Sequence, residues 1–204
     1  RYISGIAEDW HFLSSPVAGQ EISGDWLPSG TYGNGTGYDM YVWNEPTNCW
    51  IYKLDANWNT LNPGTDFAPG RGYLYSVQAA NPTKEFTGNL NNGDVNYALT
   101  IDGSSDATLQ GFNLVGNPYP SSIDWKASGW TRTDLLASGT GYDMWIWNPT
   151  AGNYGVFNSD GAPGSGTNNV SQYIAPMQGF FVRATSTGNL DLTNAVRVHD
   201  EANN

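Results

Sequence analysis

The sequence predicts an all-β fold, a β-sandwich or barrel-like pair of sheets built from two internally repeated halves. Three observations lead there. Short segments alternate in side-chain character with period two, clusters of Gly, Pro, Asn and Asp separate them, and six sequence blocks recur in one order about a hundred residues further on. Composition agrees. Of 204 residues, 25 are Gly and 11 Pro, and the 9 Trp, 12 Tyr and 7 Phe are more aromatics than a disordered chain carries. Charged residues make up 13%, against about 25% in an ordinary soluble domain, and few Lys, Glu and Leu with many Gly, Asn and Thr argue against coiled coils and helical bundles.

Strands are expected at 10–14, 38–43, 50–54, 72–77, 84–88, 95–101, 112–116, 142–147, 154–157, 179–184 and 188–192. Each is short, rich in aromatic or branched residues, and bounded by turn signals such as Asn34-Gly35, Asn62-Pro63-Gly64 and Asp160-Gly161. Only 131–137 reads as a short helical turn. In the second of these strands Tyr38, Met40 and Val42 share one face, and Asp39, Tyr41 and Trp43 the other.

The repeat is plain in the letters. Gly35-Thr36-Gly37-Tyr38-Asp39-Met40 returns unchanged as Gly139-Thr140-Gly141-Tyr142-Asp143-Met144, each copy followed by an aromatic, an aliphatic and Trp-Asn. Trp10–Pro16 parallels Phe112–Pro118, Asp25-Trp26 parallels Asp124-Trp125, Phe67–Tyr75 parallels Ile174–Val182, and Thr87–Leu90 parallels Thr187–Leu190. The halves run over about 8–100 and 108–200, and the short join favours one pseudo-symmetric module over 1–204.

Charge and cysteine narrow the partners. The net charge of −11 repels phosphate backbones and anionic membranes, so nucleic acid is not an expected partner. No apolar run has the length of a membrane span, so no membrane insertion is expected. Cys49 is alone, pairs with no second cysteine, and reads as a small buried residue. The opening Arg1-Tyr2-Ile3 reads as part of a longer protein, whose neighbouring domains would then be partners.

Residues matched between the halves are expected to serve the fold. Gly72 and Gly179 would let the chain enter a strand, Tyr38/Tyr142 and Met40/Met144 would fill cores, and Trp26/Trp125 would cover a sheet end. Aromatics read as unmatched, Tyr32, Trp50, Trp58 and Trp130, are expected to serve a site. Tyr41, Trp43, Trp145 and Trp147 either pack on a second sheet or form an open platform. Such a platform suits a pyranose ring, whose C–H face stacks on a flat indole while Asp and Asn meet its hydroxyls. The expected contacts are Trp50, Trp58 and Trp130, then Trp43, Trp147 and Tyr154. The acidic balance favours neutral polysaccharides such as glucans, agarose-like galactans or chitin.

Catalysis is not expected. There are two histidines, no Gly-x-Ser-x-Gly, no metal-ligand histidine pair and no phosphate-cradling Gly-rich loop. No cofactor is required, with calcium as an option: Asp55, Asn57, Asn59 and Asp66 fit a degenerate EF-type frame, although Thr60 stands where that loop needs Gly. Plain Asx turns are the alternative.

The block Gly111-Phe112-Asn113-Leu114-Val115-Gly116-Asn117-Pro118-Tyr119-Pro120-Ser121-Ser122-Ile123-Asp124-Trp125 resembles the "GWNLVGNPYPSAIDW" block of large secreted proteins of Bacteroidota. Trp10-His11-Phe12-Leu13-Ser14-Ser15-Pro16-Val17 is similar to the "GWHLLSSPV" opening of the same region, and Ala175–Val182 and Arg197-Val198-His199 follow suit. The resemblance implies a secreted or cell-surface accessory module of type IX secretion cargo, without catalytic activity, and assigns no binding residue. The reading is therefore a carbohydrate-binding module, with a structural or adhesive domain lacking a sugar ligand as the alternative.

Overall fold

A computed structural model describes residues 3, 9–26, 40–76, 83–102 and 106–199; Tyr32, Tyr38 and Asp39 lie outside the described residues. The expected all-β fold forms. The first half holds β1 (Trp10–Leu13), β2 (Val17–Ala18), β3 (Met40–Asn44), β4 (Cys49–Tyr52), β5 (Tyr73–Ser76) and β6 (Asn89–Leu90). Strand β7 (Val95–Leu99) leads to the join. The second half holds β8 (Phe112–Gly116), β9 (Ser122–Asp124), β10 (Ala137–Ser138), β11 (Gly141–Asn148), β12 (Asn153–Asn158), β13 (Tyr173–Ile174), β14 (Gly179–Arg183), β15 (Gly188–Leu192) and β16 (Arg197–Val198).

Two expectations need correction. The helix is Trp58–Leu61; 131–137 holds only a single turn, closed by Leu135 N donating to Arg132 O at 3.1 Å, between bridges from Thr131 to Asp191 and from Leu135 to Ala184. Residues 84–88 form no strand, because the pairing with β2 falls one step later, at β6.

The two main sheets are antiparallel and share one topology. The first runs β1-β5-β3-β4, and in the second β8, β14, β11 and β12 are neighbours in the equivalent order, with β10 added to β11. Registers agree residue by residue: Trp10 faces Ser76 as Phe112 faces Arg183, and Trp43 faces Trp50 as Trp147 faces Tyr154.

Alternation gives each sheet two faces with different jobs. In the first sheet Leu13, Met40, Val42, Tyr73 and Tyr75 point into a private core closed by Trp26, Trp58 and Phe67. In the second, Val115, Met144, Ile146, Phe180 and Val182 do the same under Trp125, Trp130 and Tyr119. Trp26 and Trp125 thus sit in the cores rather than over a sheet end, with their indole N–H groups donating to Glu85 O and Tyr142 O, each at 2.7 Å. The opposite faces meet in a third, aromatic cluster around Phe12, Leu114 and Phe181, which joins the halves.

The join between halves is reciprocal, as at an isologous two-fold interface. Ser14 N donates to Met177 O at 3.0 Å and the equivalent Gly116 N to Gly70 O at 2.9 Å. Leu13 bridges Gln178, and Arg71 bridges Val115. Gly72 and Gly179 lie at close approaches of the two halves: a Cβ on Gly72 would lie 2.6 Å from Leu114 Cγ and 2.7 Å from Val115 O, and one on Gly179 would lie 2.9 Å from Phe12 Cβ. Their role is therefore to admit the other half, not merely to start a strand.

Candidate functional site

The seam between the sheets does not close everywhere. A cleft of about 540 Å³ opens along it, lined by Trp43, Asn48, Trp50, Leu109, Phe112, Trp145, Tyr154 and Phe181. Both halves and the join contribute. Trp43 and Trp50 face each other across the β3–β4 ladder, Phe112 opens β8, Trp145 lies on β11, Tyr154 on β12 and Phe181 on β14.

Phe181 is the hub. It is buried, and the rings of Phe12, Trp43, Trp50, Phe112 and Tyr154 surround it with centroids at 5.3–6.1 Å, all steeply inclined. Edge-to-face packing of this kind adds to the area buried and fixes the tilt of each ring. Trp43, Trp50, Phe112, Trp145 and Tyr154 stay half-buried and keep part of their surface for the cleft.

Three anchors hold the walls. Trp43 Nε1 donates to Phe112 O of the other half at 2.7 Å. Glu45, buried in the 3-10 turn after β3, accepts at Oε1 from Asp102 N at 3.1 Å and Gly111 N at 2.8 Å, so one carboxylate grips both ends of the join. Arg183 donates to Gln110 O at 3.0 Å and Ala107 O at 2.9 Å while lying over the Phe112 ring, which holds Leu109 at the rim. Burial raises the Tyr154 phenol above its ordinary range, so it stays neutral near pH 7.

A family model described as "Domain of unknown function (DUF8693)" matches residues 4–204. The chain belongs to this family. No curated protein and no solved structure matches it significantly.

Within this member of the family, the aromatics singled out from sequence divide. Trp50, Trp43 and Tyr154 line the cleft, and Trp147 packs behind Tyr154 in the same seam at 5.3 Å. Trp58 and Trp130 are corrections. Trp58 is 1% exposed in the first core, under Lys53, and Trp130 is 8% exposed against Trp125 at 4.8 Å, with its N–H on Asp124 O. Neither can touch a large ligand. Trp50 is also not unmatched, since its register partner in the second half is Tyr154.

Two residues of the calcium frame, Asp55 and Asp66, are engaged in local hydrogen bonds. Asp55 Oδ1 accepts from the backbone and side-chain nitrogens of Asn57 at 2.8 and 3.0 Å, closing an Asx turn. The chain then winds through Trp58–Leu61, carrying the exposed Asn59, and Asp66 instead takes a hydrogen bond from Thr65. Among the described residues no group of three or more His, Cys, Asp or Glu could share a metal. Cys49 is exposed rather than buried, because the left-handed Asn48 before it turns the chain at the hairpin tip.

Sequence reasoning missed Asn48, Leu109, Phe112 and Phe181. A usable signal was present for the last two. Phe180-Phe181-Val182 and Phe112-Asn113-Leu114-Val115 carry large apolar residues on both parities, the mark of a strand covered on both faces.

Proposed function

We propose that the chain is a non-catalytic carbohydrate-binding module that takes a neutral polysaccharide into the inter-sheet cleft. The observation that carries the proposal is the cleft itself: half-buried Trp43, Trp50, Trp145 and Tyr154 gathered around one opening that, among the described residues, is lined by no charged side chain. Indole and phenol rings supply rigid stacking surface at low entropic cost, which suits the C–H faces of pyranose rings. The reading includes an extracellular or cell-surface setting beside other domains, and it requires no cofactor.

Affinity electrophoresis of the intact chain over glucans, agarose, chitin and xylan, with and without calcium, tests it. Retardation by at least one neutral polymer is expected, lost in Trp50→Ala, while Trp58 and Trp130, sealed in cores, keep their fluorescence unchanged on binding. If no polymer retards the chain, the structural or adhesive reading takes its place.

A further inference from the structure

Resting on that reading, we infer that the cleft selects sugar residues poor in free hydroxyls: O-methylated, O-acetylated, 6-deoxy or anhydro units of a neutral glycan. The argument is a donor and acceptor inventory. Of the eight lining side chains, five have no oxygen or nitrogen beyond an indole N–H, one is leucine, and only Asn48 and Tyr154 carry other polar atoms. One indole N–H is already committed, from Trp43 to Phe112 O.

A fully hydroxylated pyranose entering this space would give up water at most of its hydroxyls and find too few replacements. A hydrogen bond given up to these rings and not replaced costs about 1–3 kcal/mol, at least as much as ring geometry adds to stacking. A methyl, acetyl or bridging ether at the same position removes that loss and adds apolar surface to the rings. Charge points the same way. The chain carries −11, and among the described residues no cation lines the cleft to offset it, so sulfated or uronic substituents are disfavoured.

Leu109 gives the reading a handle. It stands at the rim, 41% exposed, on a turn fastened by Asp106, whose carboxylate accepts from Thr108 N at 2.8 Å. Changing it leaves both cores untouched.

The test pairs ligands that differ only in substitution, with the intact chain as probe: acetylated against deacetylated xylan, and O-methylated against unmodified cello-oligosaccharides, by titration calorimetry. The substituted member of each pair should bind about tenfold tighter or better, and Leu109→Asn, which adds an amide at the rim, should move that ratio towards one. Equal or tighter binding of the unmodified sugars, still lost in Trp50→Ala, overturns the selectivity and leaves the glycan reading standing. No binding to any of the four ligands, together with no retardation on the broader panel, overturns both.

Discussion

Trp43 and Trp147 hold the same place in the two sheets, on the outward face of equivalent strands, yet they are tied differently. Trp43 reaches across the seam to Phe112 O, whereas the indole N–H of Trp147 is buried with no hydrogen-bond partner among the described residues. The hairpins behind them differ in the same sense. In the second half the β11–β12 hairpin is bound to its own loop: Asn168 Nδ2 donates to Tyr154 O at 2.8 Å, and Val156 exchanges hydrogen bonds with Thr167. The β3–β4 hairpin is instead secured across the seam, through Trp43 and through Glu45 on the join. One wall of the cleft is therefore held by its own half and the other by its neighbour. Two sheets of like topology can thus form a site at the seam without altering either core, because only the outward faces need to differ.

A large effect should come where the halves touch closely. Gly72→Ala drives a Cβ onto Leu114 Cγ at 2.6 Å and onto the Val115 carbonyl at 2.7 Å, and a backbone carbonyl cannot move aside. Gly179→Ala meets Phe12 Cβ at 2.9 Å, with backbone atoms only at 3.2 Å and beyond. Overpacking of this order costs about 1–3 kcal/mol and sometimes more. Gly72→Ala should lie at or above the upper end and Gly179→Ala near the lower in urea unfolding. Equal losses would mean that the reciprocal approach is softer in the first half than its distances imply.

Much of this arrangement is legible in the chain, and the part that is not has identifiable causes. Alternation in Met40–Asn44 and its copy separates core from seam correctly, since Met40 and Val42 are sealed while Trp43 faces the other sheet. Sequence comparison alone treats Trp58 and Trp130 as surplus rings, but each plugs a private core whose covering loops differ between the halves. Matching Trp50 to Tyr154 requires the strand register, which an unlike pair of letters hides. The Asx turn that the sequence offered at Asp55 is present, and the helical turn after it carries Asn59.

Alkaline titration should separate the two cores next. The first uses Tyr73 where the second uses Phe180, and the Tyr73 hydroxyl is sealed between the Ala68 N–H, which donates to it at 2.7 Å, and Asn62 Oδ1, to which it donates. Burial is the dominant cause that pushes this phenol far above its usual range, with nearby Arg71 opposing. A folded pKa raised above the unfolded value near 10 means that the unfolded chain releases its proton first. Stability is then intact below about pH 10 and falls as pH rises through the window above it, by about 1.4 kcal/mol per pH unit for one such group. Tyr119 in the second half, pushed up to about 12 by burial and by Asp94, adds to the fall. Tyr73→Phe should lower stability at neutral pH, by taking away the partner of Ala68 N–H and of Asn62 Oδ1, yet flatten the alkaline slope in urea titrations. An unchanged slope would place the responsible phenols elsewhere.

The smallest effect sharpens the opening contrast most directly. Trp43→Phe and Trp147→Phe remove similar ring area from the same seam, so their difference isolates the hydrogen bond. Losing the Trp43 donor leaves the Phe112 carbonyl without it, at a cost of roughly 1 kcal/mol, whereas removing the Trp147 N–H relieves a buried donor that has no partner among the described residues. Trp43→Phe should therefore unfold at lower urea than Trp147→Phe by an amount worth about 1 kcal/mol. It should also loosen the one wall of the cleft that depends on the other half, seen as greater acrylamide access to Trp50. If the two variants prove equally stable and quench alike, the tie across the seam contributes nothing and the β3–β4 wall is held by Glu45 and ring packing alone.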